Sequence, residues 1–477
     1  MLATLLRHDW RSLSADASIW VVIGVFAAAI GYGTINGARW VAFQQDAISE
    51  ARAEERERLE RHETAIVRIN RENATISAFA DPRNPDAVGR SLGARYVVLP
   101  PTPLAPLAVG QSDLLPSYFK ITTDARETVL AATEIENPHR LLTGRFDLAF
   151  VLIYLYPLLI LALTYNLLSS EKEQGTLVLA LSQPISLRTL VAAKVLLRFT
   201  VFLAAVVGLA LLASLIIGVD LGAPGVLPRL AFWAAAVAGY GLFWFAAAVA
   251  VSALGKPSAT NAMVLAGVWL ALVVLVPSLL SMAATAIYPV PSRVEMIQAT
   301  RVASDEANAE GSKLLAQYYE DHPELVTGDA QQAMNDFNLV RVAVAAEVER
   351  RVRPVLDRYS QQLTAQQQIV ARARFLSPAI LMQDALNDIA GTGAARHRAF
   401  VQQVEQYHER WRAHFVRLIF EKARLEDYSG LPRFAFEDEE TGAVSRRVAG
   451  SLAGVAVPTV LLAVFAFVRL RRYPLVG

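Results

Sequence analysis

The chain has no cysteine in its 477 residues. Disulfides, thiolate metal sites and thiol catalysis are therefore excluded. Charge is scarce too: 19% of residues are Asp, Glu, Lys or Arg, against about 25% in an ordinary soluble protein. The formal net charge is only +1, so the basic footprint of a nucleic-acid binder is missing and no nucleic-acid partner is expected. The phosphate-cradle pattern GxxxxGK[ST] is absent as well. Gly255-Lys256 is followed by Pro257, and Ala250 stands where the first glycine belongs. There is no HExxH and no GxSxG, and His408 and His414 lie too far round a helix to share one metal. Asp321-His322-Pro323-Glu324 reads as a surface helix break rather than a metal site. An enzyme is not expected, nor a cofactor held by this chain.

What the chain does have is long apolar runs, with 54% hydrophobic residues overall. About 20 apolar residues suffice for a helix to cross the hydrocarbon core. Six stretches meet that length: 17–38, 148–170, 195–219, 230–255, 257–287 and 448–468. The first could pass for a signal peptide, but its apolar core is too long and no small-residue cleavage pattern follows, so it reads as a retained span. None of the six carries a charge near its middle, which argues against a proton- or ion-driven transporter. Tyr154, Tyr156, Pro157 and Tyr165 in the second span, and Tyr240, Phe243, Trp244 and Phe245 in the fourth, read either as packing or as the lining of a path.

Lys and Arg in short loops set orientation. Arg7, Arg11, Lys172, Arg188, Lys194, Arg198, Lys256, Arg469, Arg471 and Arg472 all fall on one side if both termini are cytoplasmic. The expected fold is thus an all-α membrane protein with cytoplasmic termini. Residues 1–16 read as an amphipathic helix in the cytoplasmic interface, with Leu2, Leu5, Leu6, Trp10 and Leu13 at helical spacing; a frayed basic start is the alternative.

Two large segments are left outside the membrane, 39–147 and 288–447. The first opens with a mixed-charge run over 47–71, a solvated helix that could extend span one, and holds a possible strand at 95–99. The second is rich in helix formers, notably over 339–359 and 396–425, with breaks at Pro323, Ser377-Pro378 and 391–393. The two segments are expected to pack together as one mostly helical extracytoplasmic domain.

The segment 171–194 between spans two and three is neither a plain loop nor a span. Glu171 and Glu173 leave the membrane, Gly175 permits a sharp turn, and Thr176 could cap a short helix over 177–182. Leu177, Val178, Leu179 and Leu181 would cover the membrane side, Pro184 would end the helix, and Arg188 and Lys194 would lead into span three. This pattern resembles the membrane subunit of type-2 ABC (ABC-2) exporters. Members carry an acidic pair, Gly-Thr, a Leu-rich stretch, Ser/Thr-x-Pro-Ile/Val-Ser, a basic residue, and Gly/Ala-Lys opening span three. Here these are Glu171 and Glu173, Gly175-Thr176, Leu177 to Leu181, Ser182-Gln183-Pro184-Ile185-Ser186, Arg188 and Ala193-Lys194. Arg188 stands one place later than usual, after Leu187.

The resemblance implies a permease of the bacterial inner membrane whose short helix couples to a dimer of ATP-binding subunits. ATP and Mg would be held there, and a second permease, identical or paralogous, would complete the path. The insert before span six looks similar to a bacterial subset of these permeases, at Phe375-Leu376-Ser377-Pro378, Ala385-Leu386-Asn387, Ala390-Gly391-Thr392-Gly393 and Arg396-His397. No activity comes with that likeness. The rival expectation is a mechanotransmission subunit that drives a periplasmic or envelope partner without moving cargo through its spans. A membrane scaffold without a motor is a third.

Overall fold

The computed structural model describes residues 2–15, 17–72, 76–110, 112–124, 145–183, 185–290, 292–321 and 337–473. Pro184 and Pro323, two breaks expected from the sequence, lie outside these residues. After α1 (Leu2–Ala15) comes α2 (Ala17–Glu72), one helix of 56 residues, about 84 Å long at 1.5 Å per residue. The apolar run and the charged run therefore form one rod. Its polar half is held by pairs such as Arg58–Glu54 at 2.9 Å, one turn apart.

The remaining apolar helices are α3 (Leu148–Glu173), α5 (Leu187–Ile216), α6 (Val226–Ser252), α7 (Ser258–Ile287) and α12 (Thr441–Leu470). A short α4 (Thr176–Leu181) joins α3 to α5. With α2, these make six helices long and apolar enough to cross a membrane, which fits an all-α membrane protein. The turns that carry 171–186 and 253–257 share one end of the bundle, and the large segments share the other, the insert end.

Two of these helices carry the same interruption. Pro157 in α3 and Pro277 in α7 lack a backbone N–H, and the helix before each widens into a π-turn, Val151–Leu155 and Leu270–Leu275. The carbonyls left without a helical donor need one from elsewhere, because hydrocarbon supplies none. The Tyr240 hydroxyl donates to Ile153 O at 2.9 Å, and the Ser377 hydroxyl donates to Leu272 O at 2.6 Å. Tyr156, Tyr240, Phe243, Trp244 and Phe245 are all buried in the core between helices, so these aromatics are packing; Tyr154 and Tyr165 are half-buried against it.

The insert consists of α8 (Arg293–Asp321), α9 (Phe337–Ala373), α10 (Pro378–Ala390) and α11 (Ala394–Phe420). The helix expected over 339–359 runs on through Pro354 to Ala373. Arg351 bridges from α9 to Glu306 (3.0 Å) and Glu310 (2.8 Å) of α8. The strand expected near residue 95 is β1 (Arg95–Val98), paired antiparallel with β2 (Tyr118–Ile121). One core joins Leu59 and Ile66 of α2, Val97 and Phe119 of the strands, and Phe400 and Trp411 of α11. An ion pair from Arg341 to Asp86 at 2.9 Å ties the same two segments. They pack together, as the sequence suggests.

One helix of the insert is not where the sequence puts it. Residues 288–447 are expected to stand wholly beyond the spans. Instead α10 buries Leu381, Met382, Ala385, Leu386 and Ile389 in the same core as Leu152, Tyr156, Trp233 and Val455 of the spans. Its N-cap, Ser377, bonds Leu272 halfway along α7. Gly454 in α12 makes room for it: a side chain there would meet Leu381 and Phe375 at 2.9 Å. At 13 residues α10 is too short to span, and a run of that length suits a buried or re-entrant element.

Candidate functional site

The segment 171–194 folds as a clamp on the end of the bundle. Gly175 adopts φ +70° and turns the chain between α3 and α4. A Cβ there would meet nothing within 4 Å, so glycine is needed for its left-handed conformation and not for space. Gly175 itself is the N-cap of α4, and Thr176 is the first helical residue. This corrects the expected cap: the Thr176 hydroxyl does not accept from the helix but donates back to Glu171 O at 3.2 Å. The helix spans Thr176–Leu181, with Ser182 as its C-cap, one residue earlier than expected.

Both acidic residues are engaged. Glu171 Oε1 receives Lys194 Nζ at 2.6 Å, and Lys194 also donates to Leu167 O at 3.3 Å. This pins the end of α3 to α5 across the loop. Glu173 accepts from the Ser258 backbone N–H (2.7 Å) and hydroxyl (3.0 Å), so it caps the start of α7. The Ser258 hydroxyl lies 2.8 Å from Ser169 Oγ, and Asn261 Nδ2 donates to Lys256 O at 3.3 Å. The acidic pair on the basic side of the membrane thus has a local reason: one carboxylate neutralises a buried lysine, the other serves a helix N-terminus. Arg188 stacks over the Phe467 ring of α12 at 4.6 Å, and Ser186 caps α5 by accepting from Thr189 N at 3.1 Å.

α4 packs one edge of its apolar stretch against the other helices. Leu177 is buried with Leu168, Leu190, Val191 and Leu470, and Leu181 is partly buried beside them. Val178 and Leu179 instead point outward, 53% and 71% exposed. Leu177, Val178, Leu179 and Leu181 cannot all share one side of a 3.6-residue turn, and a two-turn helix buries only one edge. So Glu171, Glu173, Gly175, Thr176, Leu177, Leu181 and Arg188 converge on one unit, with Pro184 outside the described residues.

Ser258, Asn261 and Asp9 were not singled out from the sequence. Asp9 of α1 reaches Arg198 of α5 at 3.5 Å, while Arg198 also donates to Leu163 O at 2.5 Å. The one available signal was a Ser-x-x-Asn pair opening an apolar run, the mark of a helix start. Among the described residues no group of three or more His, Asp or Glu side chains could hold a metal.

Residues 293–437 match the model of a domain of unknown function, DUF3526. No curated protein matches the chain.

Proposed function

We propose that the chain is the membrane subunit of an ATP-driven ABC-2 type exporter, with α4 as the element that a separate ATP-binding subunit moves. The observation that carries this reading is the build of α4. It hangs from a glycine turn, rests on the spans through Leu177, is wired to α5 and α7 by Glu171–Lys194 and Glu173–Ser258, and leaves Val178 and Leu179 bare at the end of the bundle. Force on that bare edge reaches three apolar helices at once. Both termini and α4 would be cytoplasmic in the bacterial inner membrane, and the insert would be extracytoplasmic. A second permease would complete the path.

The test is co-expression with an ATP-binding subunit and measurement of its ATPase rate with and without this chain. Gly175→Pro fixes φ near −65°, so the subunits should still assemble while stimulation is lost. Stimulation unchanged in that variant would remove α4 from the coupling path.

A mechanotransmission role has its own support. The unbroken α2 rod carries span one straight into the insert core through Leu59 and Ile66, so motion at the bundle would be passed outward. Export of no added amphiphile by reconstituted complexes that still turn over ATP would favour this second reading.

A further inference from the structure

α9 and α7 run side by side in opposite directions, and two hydrogen bonds fix their register. Gln366 Nε2 donates to Tyr288 O (2.6 Å) just past the insert end of α7, and Ser377 Oγ donates to Leu272 O halfway along it. Residues 366–377 therefore descend from the headgroup level to mid-bilayer. With Leu272 near the midplane and about 15 Å of hydrocarbon above it, the Arg372 backbone, five residues from Ser377, stands about 9 Å up; its long side chain leans toward the helix N-terminus and brings the guanidinium to the hydrocarbon boundary, with Arg374 below it.

The outer face of this stretch is graded. Gln361, Thr364, Gln368 and Arg372 are exposed at spacings of three and four, hence on one side of α9. Below them the hairpin tip presents Phe375 and Leu376, 54% and 62% exposed. Below the boundary α7 leaves Leu275 and Leu279 open, 49% and 56% exposed. Polar side chains above, arginines at the boundary and apolar side chains beneath follow the profile of one lipid leaflet. Two arginines stand here and one of them is paired. Arg374 stands 3.6 Å from Asp384. Asp388 is held by Arg447 at 3.1 Å, and Arg447 meets Glu439 at 2.6 Å. Arg372 is exposed and makes no ion pair among the described residues, so its guanidinium is open to a headgroup phosphate.

We propose that the α9–α10 hairpin binds an anionic amphiphile from the outer leaflet. Arg372 takes the headgroup, with Arg374 behind it, and the acyl chain lies along Phe375, Leu376 and Leu279. The proposal deepens the exporter reading, on which the word outer rests, by naming the class of molecule that meets the spans at the insert end.

The absence of cysteine makes a site-specific probe possible. Gln368→Cys is labelled with a fluorophore, and the full-length protein is placed in phosphatidylcholine nanodiscs. Phosphatidylglycerol with a nitroxide on its acyl chain is then titrated in, with nitroxide phosphatidylcholine as the comparison. Phosphatidylglycerol should reach half-quenching at a mole fraction about fivefold lower, the factor expected from one favourable arginine contact at a membrane surface. Arg372→Gln should remove the preference and Arg372→Lys should keep it. Soluble glycerol phosphate should not reverse the quenching; reversal would make the site one for free anions and overturn the lipid assignment. Equal quenching by both lipids, or a preference surviving in Arg372→Gln, would overturn the site. The readout needs no ATPase. Lipid preference without ATPase stimulation would sink the exporter reading alone, and stimulation without preference would sink this one alone.

Discussion

Two short helices set at opposite ends of the bundle are built in opposite ways. α10 is gripped over most of its surface: nine of its 13 residues are buried, and its N-cap serves a carbonyl that a proline in α7 deprives of its donor. α4 buries Leu177 fully and Leu181 in part, and leaves Val178 and Leu179 exposed. The contrast separates an element built into the bundle from one that, on the exporter reading proposed above, a partner would move. A helix buried over most of its surface moves only with rearrangement of its neighbours, whereas one held by two leucines and a few polar contacts moves at little cost.

The largest effect should come from breaking the fixed end. Leu386→Ala removes a fully buried side chain from the core shared with the spans. It should cost about 2–4 kcal/mol, read as a lower midpoint of thermal unfolding in detergent. By contrast Leu179→Ala, at an exposed site, should stay within about 0.5 kcal/mol yet lower ATPase stimulation. Equal destabilisation by the two would erase the comparison.

Next is the Glu171–Lys194 pair. Lys194→Met leaves Glu171 without its cation in a partly buried setting, for a loss of about 1–3 kcal/mol. Glu171→Gln paired with Lys194→Met should recover part of it, and a double-mutant cycle measures how much.

Smaller still is the loss of one hydroxyl to a proline-freed carbonyl. Ser377→Ala and Tyr240→Phe should each cost about 1 kcal/mol. In Ser377→Ala the tip of the hairpin should loosen, seen as faster hydrogen exchange over 374–380. Unchanged exchange there would mean that apolar packing alone holds α10.

The smallest effect concerns pH in the insert. Burial holds the imidazole of His397 below the ordinary histidine value, while its ring lies 3.2 Å from Pro116 O. The folded protein binds this proton less readily than the unfolded chain does. His397 thus supports folding above the unfolded value of about 6.5, and this support is lost as pH falls through the folded value. His397→Gln should flatten the acid side of the insert's stability profile, followed by tryptophan fluorescence of Trp411. An unchanged profile would assign the acid sensitivity elsewhere.

Much of this was legible in sequence because the signals are local. Apolar runs marked the spans, helix formers marked the insert, and Gly175 marked the turn before α4. The cap at Thr176 was misplaced because Gly175 and Thr176 both suit a helix start, and only the backbone angle separates them. Which of Leu177, Val178, Leu179 and Leu181 meets a neighbouring helix was not legible, because an apolar stretch does not say which side does.

The sequence by itself determined that this is a helical chain with six membrane-length runs, no thiol chemistry, a turn at Gly175 and a helical insert. Composition and local spacing suffice for those, since each depends on residues within a few turns of one another. Only the tertiary structure decided that Glu171 meets Lys194, that Glu173 caps Ser258, and that α10 sinks among the spans. In each case the partner is distant in the chain, and α10 alone reads like any amphipathic helix of a soluble domain. Its place is set by a carbonyl at Leu272 that needs a donor and by a gap that Gly454 leaves open.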